Sequence, residues 1–209
     1  MDNKPEFVLK ADGIYQLKVP FMTVYTSVFL VVDGEKKILV DSATTEYDVD
    51  EIILPALKQL GCSLSEIDTL VLTHGHSDHA GGADRIRALA PRIGIVRGVE
   101  QISEHASTYS LPGHTRDFIG VLDLRTGTLI SGDGLQGAGI GKYRCLVSDF
   151  EMYFRTLDAV GTDSRIENLL FSHAYEPWLS DTVIGRAAVL DCLDVCRTLA
   201  EKKKAGLAV

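Results

Sequence analysis

The chain has 209 residues, 45% of them apolar, about the length of one domain and enough apolar matter for a full core. Its 21 Lys and Arg stand against 29 Asp and Glu, a formal net charge of −8, the wrong sign for a surface that neutralises phosphates along a nucleic acid. No apolar run approaches the roughly 18 to 20 residues of a membrane span, and the first ten residues lack the basic start and apolar stretch of a signal peptide. The expectation is a cytoplasmic protein in which 1–209 form one domain, with neither nucleic acid nor membrane as partner and no sign of an oligomeric state. Four cysteines, Cys62, Cys145, Cys192 and Cys196, form no CxxC pair and read as small buried hydrophobes.

The first segments read as strands: Tyr15 to Val19, Ser27 to Val32 and Lys37 to Asp41, with Asp33-Gly34 turning between the last two. From Asp48 to Leu60 apolar residues recur at helical spacing before Gly61, and Pro55 inside that helix predicts a kink or a later start. Thr69 to Thr73 reads as a buried strand, Ala83 to Ala90 as a helix and Ile93 to Arg97 as a strand. Phe118 to Asp123 and Thr128 to Ser131 form a hairpin closed by Arg125, Thr126 and Gly127, ahead of a helix over Asp149 to Val160. Asn168 to Ser172 is a short strand, and Asp181 is placed to cap a last helix reaching about Lys203, where Lys202 to Lys204 suit the negative pole of its dipole. Strands in both halves with interspersed helices predict a layered α/β fold, its helices on the outer faces.

Half of the six histidines fall in one run: His74, His76 and His79, with Asp78, in HGHSDH. The run follows an apolar strand and precedes Ala80-Gly81-Gly82, so small residues let the backbone close around a shared point. Neutral imidazole and carboxylate are the ligand types of zinc and similar divalent cations. Three more candidates lie at strand or turn boundaries: His114 in LPGHT, Asp133 in SGDG and His173 in LFSHA. Together these residues supply the ligands that two metal ions need while each keeps a position open for water. His105, in SEHAS, matches no such pattern and reads as a loop or helix residue.

From about Tyr15 to Leu193, the HxHxDH run, the PGHT histidine, the GD aspartate and the last strand-end histidine resemble, in their order, the metallo-β-lactamase superfamily. The resemblance implies a four-layer αββα sandwich, two mixed sheets flanked by helices. It implies that His74, His76 and His114 hold one metal, Asp78, His79 and His173 the other, and that Asp133 bridges both. The strand ending in Asp41 matches the family's pattern, which makes Asp41 a residue that orients a metal histidine. The implied cofactors are two divalent ions, zinc ahead of iron or manganese. The implied reaction is hydrolysis: a metal-bridging hydroxide attacks a small ester, thioester or lactone while Asp78 orients it and takes up its proton. His76 argues against the di-iron redox branch, and Asp133 against a true β-lactamase; these two, with a glyoxalase II-like hydroxyacylglutathione hydrolase, are the alternatives. The stretch from Ile95 to His114 is shorter than the family leads one to expect and offers little material for extra strands.

Lys142 and Tyr143, beyond Asp133 and a glycine-rich run, are candidates to offer a cation and a phenol to an anionic small-molecule substrate. Tyr175 and Trp178 flank the last histidine and are candidates for a pocket wall. Gly132, Gly134 and Gly137 spell GxGxxG, but no βαβ unit surrounds them. Gly141-Lys142 resembles a P-loop end, yet Gln136 and Tyr143 occupy its required glycine and hydroxyl positions.

Overall fold

The computed structural model describes residues 5–135, 147–174 and 180–207. By internal packing the chain divides into two compact units, Met1–Arg97 with Ile102–Glu104, and Gly98–Gln101 with His105–Val209.

The first unit holds a six-stranded mixed sheet in sequence order. Strands β1 (Val8–Ala11), β2 (Ile14–Phe21), β3 (Val24–Asp33) and β4 (Lys36–Val40) run antiparallel as successive hairpins. Strands β5 (Thr69–Val71) and β6 (Gly94–Val96) continue parallel to β4. Parallel pairing requires crossovers, and helical segments supply them. The first comprises α1 (Glu46–Asp48), a π-helical turn (Val49–Ile53) and α2 (Leu54–Gln59). Pro55 stands in the opening turn of α2, and the π turn ends just before it, which bears out the interruption expected from that proline. The second crossover carries α3 (Ser77–Ala80) and α4 (Ala83–Leu89). Val49, Ile53, Ala56, Leu57 and Ile86 pack with Leu17, Val28, Leu30, Leu39 and Leu70 as one apolar cluster. The alternate residues Phe29, Val31, Ile38, Val40 and Val71 are buried as well, so these strands read as near-continuous apolar runs.

The second unit holds a five-stranded mixed sheet, ordered β11-β10-β9-β8-β7. Its strands are β7 (Ala106–Ser110), β8 (Ile119–Asp123), β9 (Thr128–Ile130), β10 (Asn168–Leu170) and β11 (Thr182–Ile184). The β8–β9 turn falls at the expected Arg125-Thr126-Gly127. There the buried Asp123 carboxylate accepts the Arg125 and Thr126 amides at 2.9 and 3.1 Å and the Arg125 Nε at 3.0 Å. Helix α5 (Phe150–Thr162) starts at Asp149, whose carboxylate accepts the Met152 amide at 3.0 Å. Helix α6 (Arg186–Lys204) turns Val189, Cys192, Leu193, Cys196 and Ala200 onto Tyr153, Leu157, Leu129 and Leu169, a helical stripe closing one core. Cys62, Cys192 and Cys196 are buried free thiols, as expected, and Cys145 lies outside the described residues.

Two expectations need correction. The stretch before His114 does hold a strand, β7, paired antiparallel with β8; its ASTYS sequence alternates buried and less buried positions with small polar side chains, which carry little hydrophobic signal. Asp181 does not cap α6, because β11 intervenes and Gly185 occupies the cap position; the Asp181 carbonyl instead accepts the Phe171 amide at 2.9 Å. His105 is a loop residue, as expected, half-buried in a bend just before β7, where its carbonyl accepts the Leu124 amide.

At the end of α5 the Asp163 carboxylate grips the Arg165 guanidinium at 2.8 and 2.6 Å and its amide at 3.1 Å. The Arg165 side chain, foremost among these partners, pulls the Asp163 pKa down to about 2. A depressed folded pKa adds stability above the unfolded value of about 4, which is lost as the pH falls toward about 2. The stability gap between the wild type and Asp163→Asn, read from urea midpoints, is therefore expected to be widest near neutrality and to close on acidification.

Candidate metal centre

In the first unit the candidate residues gather where β4 and β5 end. Asp41 follows β4 at φ 64, a left-handed position that Asp tolerates better than most residues. Its buried carboxylate accepts the Thr73 amide at 2.8 Å and the Thr73 hydroxyl at 2.9 Å, and it stands 2.7 Å from His79 Nδ1. An ionised carboxylate only accepts, so His79 carries its proton on Nδ1 and presents a lone pair at Nε2. The same logic runs one residue further. Thr73 spends its single hydroxyl proton on Asp41, so at 3.0 Å it must accept from His74 Nδ1, and His74 likewise presents Nε2. One carboxylate thus sets the tautomer of two histidines.

The loop carrying these rings is fastened by main-chain atoms. The Ser42 amide donates to the His79 carbonyl at 2.7 Å, and the Gly81 amide to the Ala43 carbonyl at 3.0 Å. A Cβ on Gly81 would stand 1.9 Å from the Thr44 carbonyl oxygen and 2.5 Å from that of Ser77; one on Gly82 would stand 2.3 Å from the Ser42 carbonyl oxygen. None of these obstacles is a flexible side-chain tip, so the two glycines are the condition of the approach. Gly81→Ala is expected to cost about 1 to 3 kcal/mol of stability, read as a lowered urea midpoint.

In the second unit His114 follows Pro112-Gly113. Gly113 (φ 143) leaves no room for a Cβ, which would meet Tyr153 Cα at 2.7 Å, and its carbonyl accepts the Ser148 amide at 2.7 Å. The His114 ring meets the Phe118 ring edge-on at 5.7 Å between centroids. Asp133 occupies the tight turn after β9, between Gly132 (φ 52) and Gly134, and both glycines abut the Phe118 ring. His173 follows β10. His114, Asp133 and His173 are all buried, with Asp133 Oδ2 3.8 Å from His114 Nε2 and Oδ1 3.3 Å from His173 Nε2.

Ligand atoms about 2.0 to 2.1 Å from a tetrahedral zinc ion lie about 3.4 Å from one another. Within the first unit His79 Nε2 and Asp78 Oδ2 are 3.4 Å apart, and His74 Nε2 and His76 Nδ1 2.9 Å. With the two Asp133 contacts, these give four donor pairs near coordination spacing, all of imidazole nitrogen or carboxylate oxygen. The donor set fits divalent cations of the zinc type. His76 is exposed and Asp78 half-buried, while His74 and His79 are buried. Thr73 was missed by sequence reasoning; its signal was a hydroxyl residue directly before HGH. Lys142, Tyr143, Tyr175 and Trp178 lie outside the described residues.

Residues 22–91 match the family model of the metallo-beta-lactamase superfamily. A beta-lactamase-like protein 2 homolog of Caenorhabditis elegans is 33% identical over 142 residues, 57% of this chain and 48% of that protein. A hydroxyacylglutathione hydrolase of Chromohalobacter salexigens is 26% identical over 151 residues, 60% of this chain and 58% of that protein. The crystal structure of the metallo-β-lactamase FIM-1 from Pseudomonas aeruginosa, in its mono-zinc form, matches 97% of both chains with a TM-score of 0.75 at 20% identity. The fold class is therefore the αββα sandwich, built on two mixed sheets flanked by helices. Over residues 22–91, and in its fold, the chain is similar to proteins of the metallo-β-lactamase superfamily. It spans about half the length of the first curated relatives it matches.

Proposed function

We propose that the chain is a metal-dependent hydrolase of small thioesters, esters or lactones, carrying two divalent ions, zinc ahead of iron or manganese. The observation that carries this reading is the donor pairing: imidazoles and carboxylates preset at coordination spacing within each unit. His74, His76 and His114 would hold one ion and Asp78, His79 and His173 the other, with Asp133 serving both. When bound, such ions supply positive charge that polarises a carbonyl and brings the pKa of water toward neutrality.

The chain's own residues then have distinct tasks. Asp41 holds His79 in the Nδ1-protonated tautomer directly, and His74 through Thr73, so neither ring reorganises when a ligand position at Nε2 fills. Asp78, half-buried on the first turn of α3, offers a carboxylate oxygen that accepts the proton of the attacking water. No serine or cysteine nucleophile is needed. Hydroxyacylglutathione hydrolase among the relatives supports an acyl group passed to water, and it puts a glutathione thioester first among the substrates to try.

The test strips the protein with a chelator, reloads it with zinc and follows a glutathione thioester, an aryl ester and a lactone. Two equivalents of metal by elemental analysis and chelator-sensitive hydrolysis of one of the three are expected. A fully loaded protein inert toward all three overturns the reading. Hydrolysis confined to a β-lactam, or visible iron absorption with thiol-dependent oxygen uptake, moves it to the corresponding branch of the family.

A further inference from the structure

The second unit contains a cavity of about 370 Å³ that none of its metal-type donors lines among the described residues. It opens beneath the edge strand β11, against α6. Its walls include Phe171, Val183, Ile184, Ala188 and Cys192, apolar or soft residues around a space at the lower end of ordinary ligand-pocket size. Hydrogen bonding to the Cys196 thiol, with burial, raises the Cys192 pKa, so Cys192 presents a neutral, polarisable face.

The rim is polar, but most of its polarity is already committed. The Ser180 hydroxyl donates to the Thr182 carbonyl at 2.8 Å and accepts the Thr182 amide at 3.2 Å, and the Thr182 hydroxyl donates to Asp181 at 2.9 Å. Among the described residues, the charged group on the lining is the exposed Asp191 carboxylate. A carboxylate at the mouth of an apolar cavity accepts hydrogen bonds and repels anions.

We propose that this cavity is a second binding site, for a small apolar molecule ending in a hydrogen-bond donor: an alcohol, phenol or amine, and not a carboxylate. The ring or chain fills the space between Phe171, Ala188 and Cys192, and the donor end reaches Asp191. The site stands independently of the hydrolase reading, since none of its lining residues is a proposed ligand or proton acceptor.

The experiment titrates the full chain with phenol, hexylamine and hexanoate by ligand-observed NMR. Saturable binding of phenol and hexylamine is expected, with hexanoate at least about tenfold weaker, because the Asp191 carboxylate attracts the ammonium end of hexylamine and repels the carboxylate of hexanoate. Asp191→Asn should erase the preference for hexylamine over hexanoate. Ala188→Leu should weaken phenol and hexylamine at least about tenfold by filling the space, with the unfolding temperature measured alongside. Equal binding of hexylamine and hexanoate, or phenol binding unchanged in a folded Ala188→Leu protein, would each overturn the proposal.

Discussion

Replacing Asp41 by alanine is expected to loosen metal binding by about 10- to 100-fold and to cost about 2 to 4 kcal/mol of folding stability. Both losses have one origin. The carboxylate is buried and satisfies the Thr73 amide, the Thr73 hydroxyl and His79 Nδ1; without it these groups face an apolar gap, each at roughly 1 to 3 kcal/mol if it finds no new partner. Asn separates the two effects. Its carbonyl can still take the Thr73 amide, so much of the stability returns. Its NH2, however, faces His79 Nδ1 as a donor and drives the proton to Nε2, the atom meant to bind metal. Asp41→Asn should therefore be more stable than Asp41→Ala yet bind metal no better. Urea unfolding and competition against a chromophoric chelator read the two quantities separately. Equal metal affinity in wild type and both variants would show that Asp41 serves only the packing of the turn.

Asp78→Asn should lower kcat on the thioester or ester found active by about 10² to 10⁴, the range typical of removing a positioned proton acceptor. The side chain is half-buried at the start of a short helix and is exchanged for one of nearly the same shape, so the stability change should stay below about 1 kcal/mol. Because Asp78 is also proposed as a ligand, metal content must be measured on the same sample. A loss of rate that vanishes when zinc is restored to full occupancy would assign Asp78 to metal holding alone.

The candidate metal donors were the most legible part of the sequence. HGHSDH sets three imidazoles and a carboxylate behind an apolar strand, and that contrast survives any error in element boundaries. Asp41 was legible only through the family pattern, since an aspartate after a strand has many uses. Thr73 was hidden because threonine is a common strand residue; its role appears only once Asp41, 32 positions upstream, is seen beside it. Among the elements, β2 to β5 and the β8–β9 hairpin announced themselves by apolar runs and turn residues. The short β11 was absorbed into the approach to α6, and β7 hid behind Ser, Thr and Tyr side chains. In both cases pairing with a neighbouring strand, which no local pattern carries, decides the conformation.

The fastening of the histidine loop to residues 42–44 has a further consequence for how such a site is inherited. Its anchors are the Ser42 amide and hydroxyl, which donate to the His79 carbonyl, and the Ala43 carbonyl, which accepts the Gly81 amide, while the carbonyl oxygens of Ser42 and Thr44 lie against the bare faces of Gly82 and Gly81. Apart from the Ser42 hydroxyl these are main-chain atoms, so one side of this clasp leaves little mark on the letters of the sequence, and the other leaves only the lack of a side chain. Substitutions at position 44 can accumulate without disturbing the clasp, whereas one methyl group at position 81 opens it. The tolerance of this chain to mutation should therefore be sharply lopsided across two segments that meet in space.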